Sequence, residues 1–470
     1  MRFVTTKSFR EPQGQAAPGV SFGFALFEGI APDGGLYVPE SIPRWRPEEL
    51  GRLPSMTLPD VGARVLQPFV DELDYDALLS IVQEALAFPI PLVEVEPGLC
   101  ALELFHGPTL AFKDVGARVM ARLMAALFRG DKPLTILVAT SGDTGSAVAH
   151  AFHDVPHTRV AILYPRGRVS PTQEAQLTMF NSEATNVRAY AAAGSFDDCQ
   201  RLTKAAFADP VLSRRANLTS ANSINIGRLL PQMIYYAHAA GQLAAKRMGG
   251  AQDRRAAVAQ DRSAAVAQDR SAAVAQDFSP SVFSTPSGNF GNLTAGLMAK
   301  RSGVNIGRFV AATNVNDVVP EYLATGRFEP RPSIHTLANA MDVGNPSNFD
   351  RLLWLYGIDL NAIRHDVTGS RHDDNEVRAT IQKVYEERGY LLDPHSAIAY
   401  LGLVGRERQE GREGQGVFLA TAHPAKFAEV VEPIIGRTIP KPQPLVDALA
   451  AKRKILEIDA TLEAVEKVLA

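Results

Sequence analysis

The chain has 470 residues, 46% of them hydrophobic and 21% charged, a globular composition with length for two or three domains. Its 48 Lys and Arg against 51 Asp and Glu leave a net charge of −3. That excludes a global pull toward nucleic acid or an anionic membrane and points to a small-molecule partner.

Residues 1–95 carry turn signals such as "APDGG" (31–35) and helix starts such as "PEEL" (47–50), which predict a small α-rich leading domain. The opening residues lack the apolar core of a signal peptide, and no run of about 18 apolar residues could span a bilayer. Cys100 and Cys199 stand far apart, without a CxxC or His-rich companion, so neither a disulfide framework nor a metal site is expected and a reducing cytoplasm fits. A lone lysine, Lys113, follows in "FHGPTLAFKDVGARVMA" (105–121), between an apolar run and a helix start.

From residue 134 a strand, turn and helix grammar sets in. "LTILVAT" (134–140) reads as a buried strand, "SGDTG" (141–145) as a turn and "SAVAHAF" (146–152) as a helix packed on a sheet. The grammar returns in "RVAILYPRG" with "SPTQEAQLTMF" (159–180), in "SVFSTPSGNFGNLTAGLMAKR" (281–301) and in "RFVAATNVND" with "VVPEYLATG" (308–326). Such alternation predicts an α/β fold with mainly parallel sheets, and ligands at the carboxyl ends of strands. An "AQDRSAAV"-type octad interrupts the order at 251–278. Eight residues at roughly 100° each drift by about 80° per repeat, so its valines form no continuous stripe. Four Asp and four Arg cancel in charge there, and a tolerated surface insertion is expected.

Three stretches carry chemistry. In "TPSGNFGNLTAG" (285–296), Gly288 and Gly291 allow close backbone approach, and the amides of Gly288, Asn289, Phe290, Gly291 and Asn292 point toward a helix start, a cradle for phosphate or simply a tight turn. In "ATSGDTGSA" (139–147), Ser141, Asp143 and Thr144 sit at a helix mouth that suits a carboxylate or phosphate; the lack of a GxSxG elbow argues against a serine hydrolase. A solitary lysine is usually a solvated charge, but "LAF" before Lys113 predicts burial. A buried amine loses its charge readily and becomes a nucleophile able to form a Schiff base with an aldehyde. An aldehyde cofactor with a phosphate at its other end, pyridoxal 5'-phosphate, would use both features.

"HGPTLAFKD", "TSGDTGSAVAHAF", "PSGNFGNLTAG" and "TAHPAKF", in that order, resemble the threonine synthase family, as does the opening "FEGIAPDGGLYVPESIP". The resemblance implies the type II pyridoxal-phosphate fold: two α/β lobes spanning 96–435, the octad insertion within them, and a helical tail at 436–470. It implies conversion of O-phospho-L-homoserine and water to L-threonine and phosphate, by a monomer or homodimer. Carried onto matching positions, Lys113 becomes the Schiff-base lysine and the proton carrier, and Gly288 to Asn292 the cofactor-phosphate loop. Thr421 faces the pyridine nitrogen. Asp143 falls beside the phenolic oxygen, an acid where an amide would serve, and so is either protonated or turned to another group. Ser141 and Thr144 match the substrate carboxylate site, and Asn222, Ser223 and Arg228, in "NSINIGRLLPQ" (222–232), the substrate phosphate site. His423 and Lys426 are read as structural. A neighbouring reading, serine/threonine dehydratase, shares fold and cofactor but needs no second phosphate site.

Overall fold

The computed structural model describes residues 1–8, 18–140, 142–182, 184–260, 281–410 and 415–469, with backbone only for 249–260 and 407–410. In chain order its strands are β1 (Phe3–Thr5), β2 (Tyr37–Pro39), β3 (Leu92–Glu96), β4 (Leu99–Glu103), β5 (Leu134–Ala139), β6 (Thr158–Pro165) and β7 (Val187–Ala192). These are followed by β8 (Leu218–Thr219), β9 (Ser281–Pro286), β10 (Ile306–Thr313), β11 (Val367–Arg371), β12 (Gly416–Ala420) and β13 (Leu456–Ile458).

β1 and β2 make an antiparallel pair in the leading domain. A six-stranded sheet runs β11-β10-β9-β12-β4-β3, and a five-stranded sheet runs β13-β7-β6-β5-β8. Every pairing in the two large sheets is parallel except β3 with β4. All residues of β5, β9 and β12 are buried, which is why β5 and β12 read as nearly continuous apolar runs: helices cover both faces of a parallel sheet. The expected units fall where the sequence put them, with helices Asp143–Phe152, Pro171–Thr178, Gly291–Arg301 and Val318–Thr325 following β5, β6, β9 and β10.

Three features refine the expected division of the chain. β3 spans residue 95 and pairs with β4, so the large sheet begins inside the stretch assigned to the leading domain. The stretch 436–470 is not wholly helical. Between helices Gln443–Ala450 and Leu462–Leu469 it contributes β13, which pairs with β7; three residues between two helices carry too short an alternation to announce a strand. The first ten repeat residues, 251–260, continue the helix Met233–Gln260, and the rest of the octad stretch lies outside the described residues.

Candidate active site

The fold delivers the candidate residues from the carboxyl ends of parallel strands, as an open α/β sheet does for ligands. Thr421 directly follows β12, the glycine loop follows β9, Asp143 follows β5 and Asn222 follows β8. Lys113 is the first residue of the helix Lys113–Leu127, downstream of β4. The loop before it is stitched to the loop after β12: Phe112 N donates to Thr421 O (2.9 Å), His423 N donates to Leu110 O (3.0 Å), and Ala111 bridges Ala422.

The Lys113 amine makes no hydrogen bond among the described residues; the Phe112 ring lies 5.8 Å from its Nζ. Removal from water lowers its pKa, Asp143 opposes that shift, and the charges of Lys426 and Arg228 add to it. Lys113 retains partial exposure along its side chain while its ammonium is enclosed by protein. A lysine so placed is pushed toward the neutral, nucleophilic form.

Asp143 opens its helix behind Gly142, and Thr140 caps the turn by accepting from Gly142 N (3.0 Å) and Gly145 N (2.9 Å). The sequence leaves open what the Asp143 carboxylate faces. It faces Lys426, whose Nζ lies 2.7 Å from Oδ1. The two form a close, buried ion pair. Burial alone would raise the carboxyl's pKa; the charges of Lys426 and Lys113 more than offset that and hold it below the ordinary range. Lys426 thus does more than the structural role read from the motif. His423 fits that role: its side chain caps the turn Pro424–Phe427 by accepting from Ala425 N, and burial lowers its pKa to about 4.

The glycine loop ends in Phe290, which caps the helix Gly291–Arg301 with φ 61°. Its carbonyl accepts from both Thr294 N (3.0 Å) and Thr294 Oγ1 (2.7 Å), which fixes this left-handed residue. The amides of Gly288 to Asn292 then have no acceptor among the described residues, the arrangement that binds a phosphate. Asn292 is locked from behind, its Oδ1 accepting from Tyr235 (2.5 Å) and Tyr236 (2.8 Å), while its Nδ2 is buried without a partner. Asn289 spans to the other candidate segment: its Nδ2 donates to Ser223 Oγ (2.6 Å) and its Oδ1 accepts from Ser347 N (2.5 Å).

Arg228 is buried and close to Lys113 in charge. Its Nη1 donates to Ala221 O (2.6 Å), its Nε has no partner, and burial lowers its pKa to about 10 against the pull of Asp114. Gly116 permits this approach, because a Cβ there would lie 2.8 Å from Arg228 O and 3.2 Å from Nε. The Asn222 side chain makes no hydrogen bond among the described residues. Thr144 sits at a helix start where the amides of Asp143 and Thr144 have no acceptor among the described residues while that of Gly145 is taken by Thr140, and Ser141 lies outside the described residues.

Sequence reasoning missed two supports. Arg351, fully buried, donates to Tyr37 O (2.8 Å), Ile224 O (2.7 Å), Ser223 O (3.4 Å) and Asn348 Oδ1 (2.8 Å). It ties the leading domain to the Asn222–Arg228 segment, with no carboxylate among its hydrogen-bond partners in the described residues. His395, paired with Asp393 (2.6 Å), accepts from Ala340 N (3.3 Å) in the loop that backs Gly288. No local motif marks either, since each works through partners distant in the chain.

The residues fit pyridoxal phosphate on the structure's own terms. Free amides wait at 288–292, an unbonded amine at Lys113, and the buried partnerless atoms Arg228 Nε and Asn292 Nδ2 call for a polar group. No group of metal-ligating side chains occurs among the described residues, and no described helix is long and apolar enough to cross a membrane. The family model for pyridoxal-phosphate dependent enzymes matches residues 88–422, with models for the threonine synthase N terminus at 8–86 and C-terminal region at 397–469. Threonine synthase of Haemophilus influenzae is 43% identical over 91% of each chain. The crystal structure of threonine synthase from Escherichia coli superposes with a TM-score of 0.84 at 38% identity, over 100% of this chain and 99% of that one. A pyridoxal-phosphate-bound threonine synthase from Brucella melitensis gives 0.86 at 35%, over 100% and 98%.

Proposed function

The chain belongs to the threonine synthase family and is a pyridoxal-phosphate-dependent enzyme, and on that premise we propose how its residues take O-phospho-L-homoserine and water to L-threonine and phosphate. The observation that carries the assignment of roles is the buried, unbonded Lys113 amine in a site whose glycine loop has free amides. Lys113 would hold the cofactor's aldehyde carbon, the amides of Gly288 to Asn292 its phosphate, and the Thr421 hydroxyl its ring nitrogen. Bound there, the cofactor supplies an electron-accepting ring conjugated to the substrate's α-carbon.

Everything else falls to the protein. Thr144, with Ser141, holds the substrate carboxylate at the start of the helix after β5, where free amides and the helix dipole favour an anion. Asn222, Ser223 and Arg228 hold the substrate phosphate; Arg228 offers Nε, the guanidinium position left without a partner. The Lys113 amine, placed to bear the cofactor at rest, would be the group that takes the proton from Cα and then one from Cβ. Phosphate then leaves from Cγ. Water adds its oxygen at Cβ, and protons return at Cα and Cγ to complete the product. Neutral Thr421 opposite the ring nitrogen favours a restrained electron sink, suited to a sequence of proton transfers.

The test is incubation of the purified protein with O-phospho-L-homoserine while threonine and phosphate are assayed together. Equal yields of the two are expected. Faster release of pyruvate from serine, or of 2-oxobutyrate from threonine, than of phosphate from phosphohomoserine would sink this reading in favour of a dehydratase. A monomer or homodimer is the proposed oligomeric state. Cys100 and Cys199, both free and buried, suit the reducing cytoplasm as its place of work.

A further inference from the structure

A carboxylate beside Lys113 is a hazard for a lysine that must act as a neutral amine. Asp143 lies in electrostatic reach of both Lys113 and Lys426, and a buried carboxylate committed to Lys113 would hold it as an ammonium. The structure gives Asp143 to Lys426 instead. The Lys426 side chain is 0% exposed and that of Asp143 6%, at 2.7 Å separation, and neither charge is easily buried alone. The ammonium is held from a second side, donating to Thr109 O at 2.8 Å. Its backbone is fixed in the turn Pro424–Phe427, where Lys426 N donates to His423 O (3.0 Å). Lys426 is therefore anchored independently of Asp143 and does not follow the carboxylate toward Lys113.

We propose that Lys426 is a positioning residue that keeps Asp143 in a buried ion pair and so leaves the Lys113 amine uncommitted, facing the cofactor. The proposal deepens the reading of Lys113 as the cofactor-bearing amine and rests on it. Around Lys113 the charged neighbours are Asp143, Lys426 and Arg228, and its own helix adds Asp114 and Arg118. Asp114 is turned away, accepting from Thr109 N (2.8 Å) and Thr109 Oγ1 (2.6 Å). His395 faces Asp143, and His423 faces Lys426. Among the described residues, only Asp143 is thus placed to trap the Lys113 amine as an ion pair.

Joining the cofactor is a condensation: the nitrogen becomes doubly bonded to the aldehyde carbon, and two amine hydrogens leave with the aldehyde oxygen as water. An ammonium must first give a proton to solvent. Lys426→Met removes the competing cation, so Asp143 turns to Lys113 and cofactor retention requires higher pH. The experiment follows the visible absorption of the lysine-bound cofactor during equilibrium dialysis against a fixed concentration of pyridoxal phosphate across pH. For Lys426→Met the midpoint of retention moves up by about 1 to 3 pH units, the size of a close charge pair's effect. In the Asp143→Asn/Lys426→Met double variant, which removes both charges, it returns toward wild type. A Lys426→Met profile that overlays wild type overturns the proposal, as does a double variant displaced as far as the single one. If Lys426→Met fails to fold, Asp143→Asn alone decides: with Lys426 left unpaired beside Lys113 the midpoint moves down, and an unmoved midpoint is the overturning result. Lys113→Ala is the separate control. A visible lysine-bound band surviving in that variant removes the underlying reading of Lys113 itself.

Discussion

Gly288→Ala tests whether the loop after β9 is a shaped cradle. Gly288 does not have a positive φ, so alanine adopts its backbone without strain and the effect of the substitution is steric. A Cβ there would lie 2.8 Å from Met341 Cα and 3.0 Å from Ala340 O. Both are main-chain atoms, in a loop held by Ala340 N donating to His395 Nε2 and by Met341 N donating to Ala338 O. Neither swings aside as a side chain would, so the glycine loop moves and its amides lose their common aim. Overpacking of this kind costs about 1 to 3 kcal/mol, which corresponds to a cofactor dissociation constant raised about 5- to 150-fold. Gly291→Ala is the internal comparison: its Cβ meets only the side-chain Asn348 Nδ2, at 3.3 Å, and affinity should change less than about 5-fold. Both constants follow from titrating apoprotein with pyridoxal phosphate by absorbance or fluorescence. Equal effects of the two substitutions, or none from Gly288→Ala, would refute the steric argument.

Burial raises the Asp114 pKa to about 6, so the folded chain binds a proton there more tightly than the unfolded one. The stability this lends is present below the unfolded pKa near 4 and is lost as pH rises through about 6, a change of about 3 kcal/mol; urea unfolding between pH 4 and 7 should flatten in Asp114→Asn. Arg351→Met strips donors from the carbonyls of Tyr37, Ser223 and Ile224, and at about 1 to 3 kcal/mol per buried group left unpaired it should lower the urea midpoint and raise KM for phosphohomoserine more than it lowers kcat. His395→Ala leaves Ala340 N without its acceptor and takes one donor from Asp393, which keeps those of His395 N and Ser396, costing about 1 to 3 kcal/mol of stability, and cofactor affinity should fall with it; calorimetry and the same titration read both.

Much of the catalytic frame was legible because it is written locally. An apolar run, a glycine turn and a small-residue helix lie within about 20 residues in each strand and helix unit, so β5, β9 and the helices after them fall where the pattern set them. Lys113 was less plain: its apolar neighbours predict burial, but only the distant glycine loop at Gly288 to Asn292 gave a reason for a buried amine. What the pattern could not carry was pairing across the chain. Three residues of β13 have no periodicity of their own and become a strand only because β7 offers an edge. Arg351 looks like any helical arginine until Tyr37, Ser223 and Ile224 surround it. Asp143 posed a question of charge that its own motif could not answer, since the answering lysine lies at the far end of the core.

The charges in the site also explain how an acidic chain serves doubly phosphorylated chemistry. The net charge of −3 describes the surface in water, where like charges are screened beyond about 10 Å. Inside, Lys426 cancels Asp143, Asp114 is satisfied by Thr109, and Arg228 and Arg351 touch no carboxylate among the described residues. Two buried guanidinium groups stand at the Asn222–Arg228 segment without a carboxylate in contact, Arg228 feeling Asp114 only from a distance, and desolvation lowers both pKa values, to about 10 and about 9. Both therefore stay charged at neutral pH. An uncancelled cation in a low-dielectric setting is expensive in the free protein and is relieved by an anion. In the proposed reading the substrate's phosphate would provide this relief, and the cofactor's phosphate, if held by the free amides of 288–292, would leave the guanidinium charge available for it. On this account the two phosphates are told apart by the kind of donor each meets, amides for the resident one and side-chain cations for the one that comes and goes.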